Sequence, residues 1–160
     1  MKLFLKNLLF TLLVPGTFAV YLPLWLTWGR PAAAEAWIIA SAVCVLAIGA
    51  SIFAWCIWDF AMFGRGTPLP LDAPKKLVVR GLYRYTRNPM YVGVLSVVMG
   101  WSILFRAPIL LIYAGCMATI FHLFILHYEE PHLRRLFGAE YERYTARVGR
   151  WWPRFSSDPL

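Results

Sequence analysis

Four stretches of this chain, about 3–28, 36–63, 89–105 and 107–127, stay apolar for roughly as long as a helix needs to cross a bilayer. A hydrocarbon core of roughly 30 Å takes about 20 helical residues. Inside it every backbone N–H and C=O must be paired within the protein, which leaves helices or a closed barrel. The pattern therefore predicts an all-α membrane protein of one domain, residues 1–160, with four transmembrane helices, a cytosolic loop and a C-terminal amphipathic helix. Composition agrees: 60% of residues are hydrophobic and 15% charged, where soluble domains carry about half and about a quarter. A soluble globule of this size could not hide 8 Trp, 8 Tyr and 11 Phe as well. Disorder is excluded by the same figures.

The third and fourth stretches meet at Arg106-Ala107-Pro108 and must form an antiparallel hairpin, so both outer ends return to one side. Of the 16 Lys and Arg, only Arg30 and Arg106 then fall on the far side. The others sit at the start (Lys2, Lys6), in the central connection (Arg65, Lys75, Lys76, Arg80, Arg84, Arg87) and in the tail (Arg134, Arg135, Arg143, Arg147, Arg150, Arg154). That asymmetry places both termini in the cytosol, at the inner membrane if the source is bacterial. It accounts for the net charge of +8 through attraction to anionic headgroups rather than to nucleic acid. A cleavable signal is the weaker reading of the first stretch: Lys2 and Lys6 precede it and Thr17-Phe18-Ala19 resembles a cleavage site, but apolar residues continue through Trp25. Pro15-Gly16 and Pro23 read better as kinks of a packed membrane helix.

Two polar segments remain for chemistry. Residues 64–88 begin with Pro68, Pro70 and Pro74 and are expected to start as an ordered non-helical loop. Residues 129–160 start as a helix with Leu133, Leu136, Phe137, Tyr141, Tyr144 and Val148 on one stripe, expected along the membrane surface or folded over the hairpin. Trp151, Trp152 and Pro153 end it. The hairpin sets Arg87-Asn88-Pro89-Met90-Tyr91 beside Tyr128-Glu129-Glu130, with Pro89 suited to a helix's first turn. Two readings stand at this point: a ligand site, or Glu129 and Glu130 beginning a helix with Arg87 as a snorkelling anchor.

The order of residues carries more. Lys75-Lys76-Leu77-Val78-Val79-Arg80-Gly81-Leu82-Tyr83, then Arg87-Asn88-Pro89-Met90-Tyr91-Val92-Gly93, then after the hairpin Glu129-Glu130-Pro131-His132-Leu133 through Tyr144, resembles the isoprenylcysteine carboxyl methyltransferase family, similar in turn to the membrane phospholipid methyltransferases. The resemblance covers about residues 64–154, and the first two stretches match only as generic membrane helices. It implies an integral membrane enzyme that binds S-adenosylmethionine at the cytosolic mouth of the hairpin and methylates a lipophilic acceptor embedded in the bilayer. It further implies that Lys75, Lys76, Leu77 and Val78 run along the cofactor, that Tyr83, Asn88, Pro89, Met90 and Tyr91 contact it, and that Glu129, with Glu130 beside it, holds its polar groups. Arg147 and Arg150 match basic positions of the family's tail, with roles at substrate or cofactor and headgroup anchoring both open. The sequence departs from the pattern in two places. Asn88 stands where the eukaryotic carboxyl methyltransferases have His, and Ile125 stands where they have an Arg implied to grip the substrate carboxylate.

His122 and His127 lie five residues apart, about 500° around a helix, so they do not share a face and no metal site is expected. His127 is a candidate general base, with an interfacial hydrogen bond as its plainer role. Asp59 either faces the cavity or reaches water. Cys44, Cys56 and Cys116 are expected as ordinary buried thiols, and Gly93, Val97 and Gly100 as helix contacts. The alternative to an enzyme is a small non-enzymatic membrane protein, or a partner subunit, that binds anionic lipid headgroups. A transporter is disfavoured, since no stretch carries paired ionisable residues.

Overall fold

The structure, a computed structural model, describes residues 9, 11–64 and 76–153. Lys2, Lys6, Arg65, Pro68, Pro70, Pro74, Lys75 and Arg154 lie outside them. The described residues form no strand; their longer helices are α1 (Thr11–Leu26), α2 (Ala36–Phe63), α3 (Pro89–Leu104), α4 (Pro108–Phe137) and α5 (Ala139–Arg147), with a short 3-10 turn at Gly81–Arg84. Of these, α2 and α4 are long and apolar enough to cross a membrane, while α1 and α3 are shorter apolar helices. The most apolar 18 residues of α2 and α4 are only 17% and 22% buried, so these helices do not form the covered core of a soluble protein. Trp25, Trp37, Trp55, Ile112 and Ile120 are all exposed on the outer surface. Cys56 is fully buried, but Cys44 and Cys116 are exposed on that apolar surface, contrary to the expectation of three buried thiols.

Small residues set the central crossing. A Cβ added to Gly49 of α2 would lie 2.8 Å from both Gly93 O and Val97 N of α3, and one added to Gly93 would lie 2.9 Å from Gly49 O. Backbone rests on backbone there, and Gly100 lies as closely against Leu46, so the expected helix contacts at Gly93, Val97 and Gly100 are present. α1 is joined to the pair through a wide π-helical turn, Thr17–Tyr21. Pro23 has no N–H to offer one turn back, and the neighbouring carbonyls of Phe18 and Ala19 accept instead from Tyr113 Oη (2.8 Å) and Trp101 Nε1 (3.0 Å). The α3–α4 turn is closed by Ala107 N–H on Ser102 O at 3.0 Å, and Arg106 pairs with Glu35 at the start of α2.

Two boundaries differ from the sequence reading. The fourth apolar helix does not stop near residue 127: it runs on through a π-helical turn, Ile125–Glu129, to Phe137. The expected single tail helix is broken at Gly138, whose φ of 50° is a conformation that side chains disfavour. α5 then folds back so that Tyr141, Tyr144 and Val148 pack with Leu133, Phe137, Leu77 and Val79, while Leu136, placed on the same stripe, is half exposed. The segment 77–79 is sandwiched: Leu77 and Val79 meet the tail, and Val78 packs with Cys56 and Tyr83 against α2.

Candidate active site

The hairpin brings its two expected motifs together. Pro89 opens α3, and two residues on, still within the first turn, Tyr91 Oη donates to Glu129 Oε2 of α4 at 2.9 Å. The Tyr91 ring also lies against Phe121, with centroids 4.6 Å apart. Consecutive helical residues point about 100° apart, so Glu130 faces a different neighbourhood. It is buried and takes Arg150 through both oxygens (2.7 and 3.0 Å), Arg87 at 3.0 Å and, more loosely, Arg134 at 4.0 Å. Two adjacent carboxylates therefore divide the work. Glu130 is enclosed by guanidinium groups, and Glu129 meets a tyrosine hydroxyl.

Around this pair the tail forms a strap over the hairpin. Gly149 pairs with Thr86 in a single parallel bridge, and Arg87 N–H donates to Gly149 O at 3.0 Å. Thr86 Oγ1 and Asn88 Nδ2 both donate to the carbonyl of Arg150, at 2.9 and 3.0 Å. Trp151 Nε1 then donates to His122 Nδ1 at 3.1 Å, eight residues back from Glu130, or about 12 Å of helix. Tyr144 Oη closes the back of the assembly on Tyr83 O at 2.7 Å. Burial pushes the Tyr83 and Tyr144 hydroxyls well above their ordinary range, and the Glu130 hydrogen bond raises Arg150, so these groups hold one charge state across physiological pH.

The remaining candidates are placed as follows. Leu77, Val78 and Tyr83 are taken up by packing, Lys76 is exposed, and Pro89 is buried with Met90 half-buried beside Cys56 and Tyr83. Arg87 is no snorkelling anchor: its side chain is 9% exposed and paired with Glu130. His127 is exposed, its Nδ1 2.9 Å from Leu123 O one turn back. Arg147 is exposed, and Arg150 pairs with Glu130. Asp59 neither reaches water nor faces open space. It is 2% exposed, pairs with Arg80 at 3.5 Å, and lies against Gly81, whose φ is 56°. Among the described residues no three His, Cys, Asp or Glu side chains group to hold a metal. Sequence reasoning missed Thr86, Gly149, His122 and Trp151. Nothing in their spacing announces a contact between segments some thirty to sixty residues apart.

Apart from the site, an apolar groove of about 450 Å³ runs between α1, α2 and α3, lined by Leu12, Gly16, Leu46, Phe53, Val94 and Trp101 among others. On α3 its lining begins at Val94, three residues beyond Tyr91, and it includes neither Tyr91 nor Glu129.

A family model described as phospholipid methyltransferase matches residues 37–140. It takes in α2, which the sequence resemblance treated as generic. Among curated proteins, the chain is similar to a probable protein-S-isoprenylcysteine O-methyltransferase of Oryza sativa subsp. japonica, at 34% identity over 73 residues, or 46% of this chain and 38% of the relative. It is also similar to protein-S-isoprenylcysteine O-methyltransferase B of Arabidopsis thaliana, at 34% identity over 73 residues, or 46% of this chain and 37% of that protein. The match thus spans under half the length of these relatives. No solved structure matches. With the hairpin, the Asn88–Tyr91 turn and the paired glutamates all inside or overlapping the matched range, the chain belongs to the phospholipid methyltransferase family.

Proposed function

We propose that this chain is a four-span membrane enzyme, with both termini cytosolic, that transfers a methyl group from S-adenosylmethionine to a lipophilic acceptor lodged in the bilayer. The observation that carries the reading is the Tyr91–Glu129 hydrogen bond. It holds a carboxylate at the mouth of the hairpin, in a molecule that also carries an apolar groove between α1, α2 and α3. When bound, S-adenosylmethionine supplies a methyl on a cationic sulfur, which needs no base to become a donor. The donor set fits such a group: a carboxylate not enclosed by guanidiniums suits hydroxyl, amino or cationic partners, and the Tyr91 and Phe121 faces suit a positive charge.

The residues of this chain would then bind, align and exclude water. Glu129 holds polar groups of the cofactor, with Tyr91 fixing the rotamer of that carboxylate. The backbone of 76–78 and the Pro89–Met90 turn border it, while the buried side chains of Val78 and Tyr83 stiffen the border. The Glu130–Arg87–Arg150 cluster ties loop, helix and tail into one body, so Glu130 and Arg150 act through the frame rather than on the ligand. Much of the rate in such a site comes from alignment and loss of water. Apolar walls of about 450 Å³ match the size of ordinary ligand pockets and suit a hydrocarbon chain. Ile125 is buried where an Arg would grip a carboxylate, which favours an acceptor recognised by its tail. His127 remains the proton acceptor for substrates that lose a proton, through its Nε2.

The test is mass spectrometry of membrane lipid extracts incubated with the solubilised chain and isotopically labelled methyl donor. Label in an apolar product, absent with Glu129→Ala, is expected and would identify the acceptor atom. No labelled product with folded protein contradicts the reading and favours a headgroup-binding protein without catalysis.

A further inference from the structure

Asn88 occupies the N-cap of α3, where an Asn side chain ordinarily accepts a hydrogen bond from the second or third backbone N–H of the helix. Here it makes no such cap. It is 5% exposed, and its amide turns away from the helix to donate to Arg150 O at 3.0 Å, a carbonyl that also accepts from Thr86 Oγ1 at 2.9 Å. Thr86 Oγ1 in turn lies 3.3 Å from Asn88 N–H. The carbonyl end of Arg150 is therefore held by two donors from the loop while its guanidinium is held by Glu130. The next residue, Trp151, reaches His122. Fixing one peptide unit fixes the entry and exit of the strap.

We infer that Asn88 is a positioning residue for the tail strap, and that it acts at the mouth of the hairpin by clasping the Arg150 carbonyl rather than by touching a cofactor. The chemistry required is an N–H donor of short reach; an acceptor alone cannot serve, because the partner is itself an acceptor. Aspartate is nearly isosteric with asparagine yet has no donor when ionised, and it would set a charge against a buried carbonyl. A histidine ring N–H can donate to the same atom. The two roles thus demand opposite responses: a side chain that touched a cationic cofactor would tolerate or favour aspartate, and a clasp would not.

The strap can be read without any ligand. Hydrogen exchange of the detergent-solubilised full chain reports the Arg87 amide, which is protected by Gly149 O. Asn88→Ala and Asn88→Asp are both expected to speed its exchange about tenfold, the scale of one lost buried hydrogen bond, with α2 and α3 unchanged. Thr86→Val should act in the same direction, and Asn88→His should restore protection. The consequence for binding rests on the methyltransferase reading: affinity for S-adenosylhomocysteine should fall together in the Ala and Asp variants and recover in the His variant. Unchanged Arg87 exchange in Asn88→Ala, or tighter binding in Asn88→Asp than in Asn88→Ala, overturns the inference. If the unaltered chain binds no S-adenosylhomocysteine, the methyltransferase reading fails, and the exchange of Arg87 still decides the clasp.

Discussion

Glu129 and Glu130 show how one residue of helical phase separates two roles. Both sit where α4 leaves its π-helical turn, a local widening that recurs at functional sites. Glu130 turns to Arg87 and Arg150 and closes the frame; Glu129 turns to Tyr91. Tyr141, packed with Tyr144 and Val148 under the tail, gives the frame a measurable alkaline limit. Burial, opposed in part by Arg87, pushes its hydroxyl up to about 12 from the ordinary 10. A folded value above the unfolded one means that its contribution to docking is complete below about pH 10 and is lost as pH rises toward 12. Spectrophotometric titration of tyrosinate should therefore show a late class of tyrosines, whose ionisation coincides with faster hydrogen exchange in α5; replacing Tyr141 by Phe should remove one of that class. The sequence marked both glutamates and Tyr91 as candidates because their types and order are distinctive, and the structure brings Tyr91 and Glu129 into contact. The sequence could not divide their labour, since a π-helical turn leaves no mark in apolar periodicity.

Among the elements, the α2–α3 crossing positions everything at the mouth, because it fixes the depth of Tyr91 against α4 and of Asp59 against Gly81. Gly49 and Gly93 allow the two backbones to touch. Gly93→Leu should force them apart at a cost of about 1–3 kcal/mol or more, seen as a lower midpoint in thermal unfolding of the solubilised protein. Gly115→Leu, where an added Cβ meets nothing within 4 Å, should leave the midpoint nearly unchanged. Equal shifts would mean that the crossing does not carry the packing. Helix existence was largely legible at this scale: apolar length located α2 and α3 within a residue or two. The tail was less so. Gly138 carries a break that a stripe of Leu133, Phe137, Tyr141 and Tyr144 conceals, because the stripe continues on both sides of the bend. Asp59 likewise looked ambiguous until Arg80 and Gly81 were seen to cover it.

For the whole molecule, function follows from a division between an apolar outer surface and a tightly knit polar end. The helices turn Trp, Ile and Leu outward, and within the described residues only Arg30, Glu35 and Arg106 carry charge at the far end. The polar end ties loop, α4 and tail together through a buried carboxylate, the carbonyls of Tyr83, Gly149 and Arg150, and an indole. On the proposed function the polar end holds a water-soluble ligand, and the central requirement is that Glu129 face that ligand. Isothermal titration of the solubilised chain with S-adenosylhomocysteine tests this most directly. Binding should weaken at least tenfold in Glu129→Ala, as loss of a charge-assisted hydrogen bond in a shielded site implies. It should change by no more than about threefold in Arg134→Ala, whose half-exposed ion pairs with Glu142 and Glu130 contribute little. Equal losses in the two variants, or no binding by the folded unaltered chain, would contradict the account.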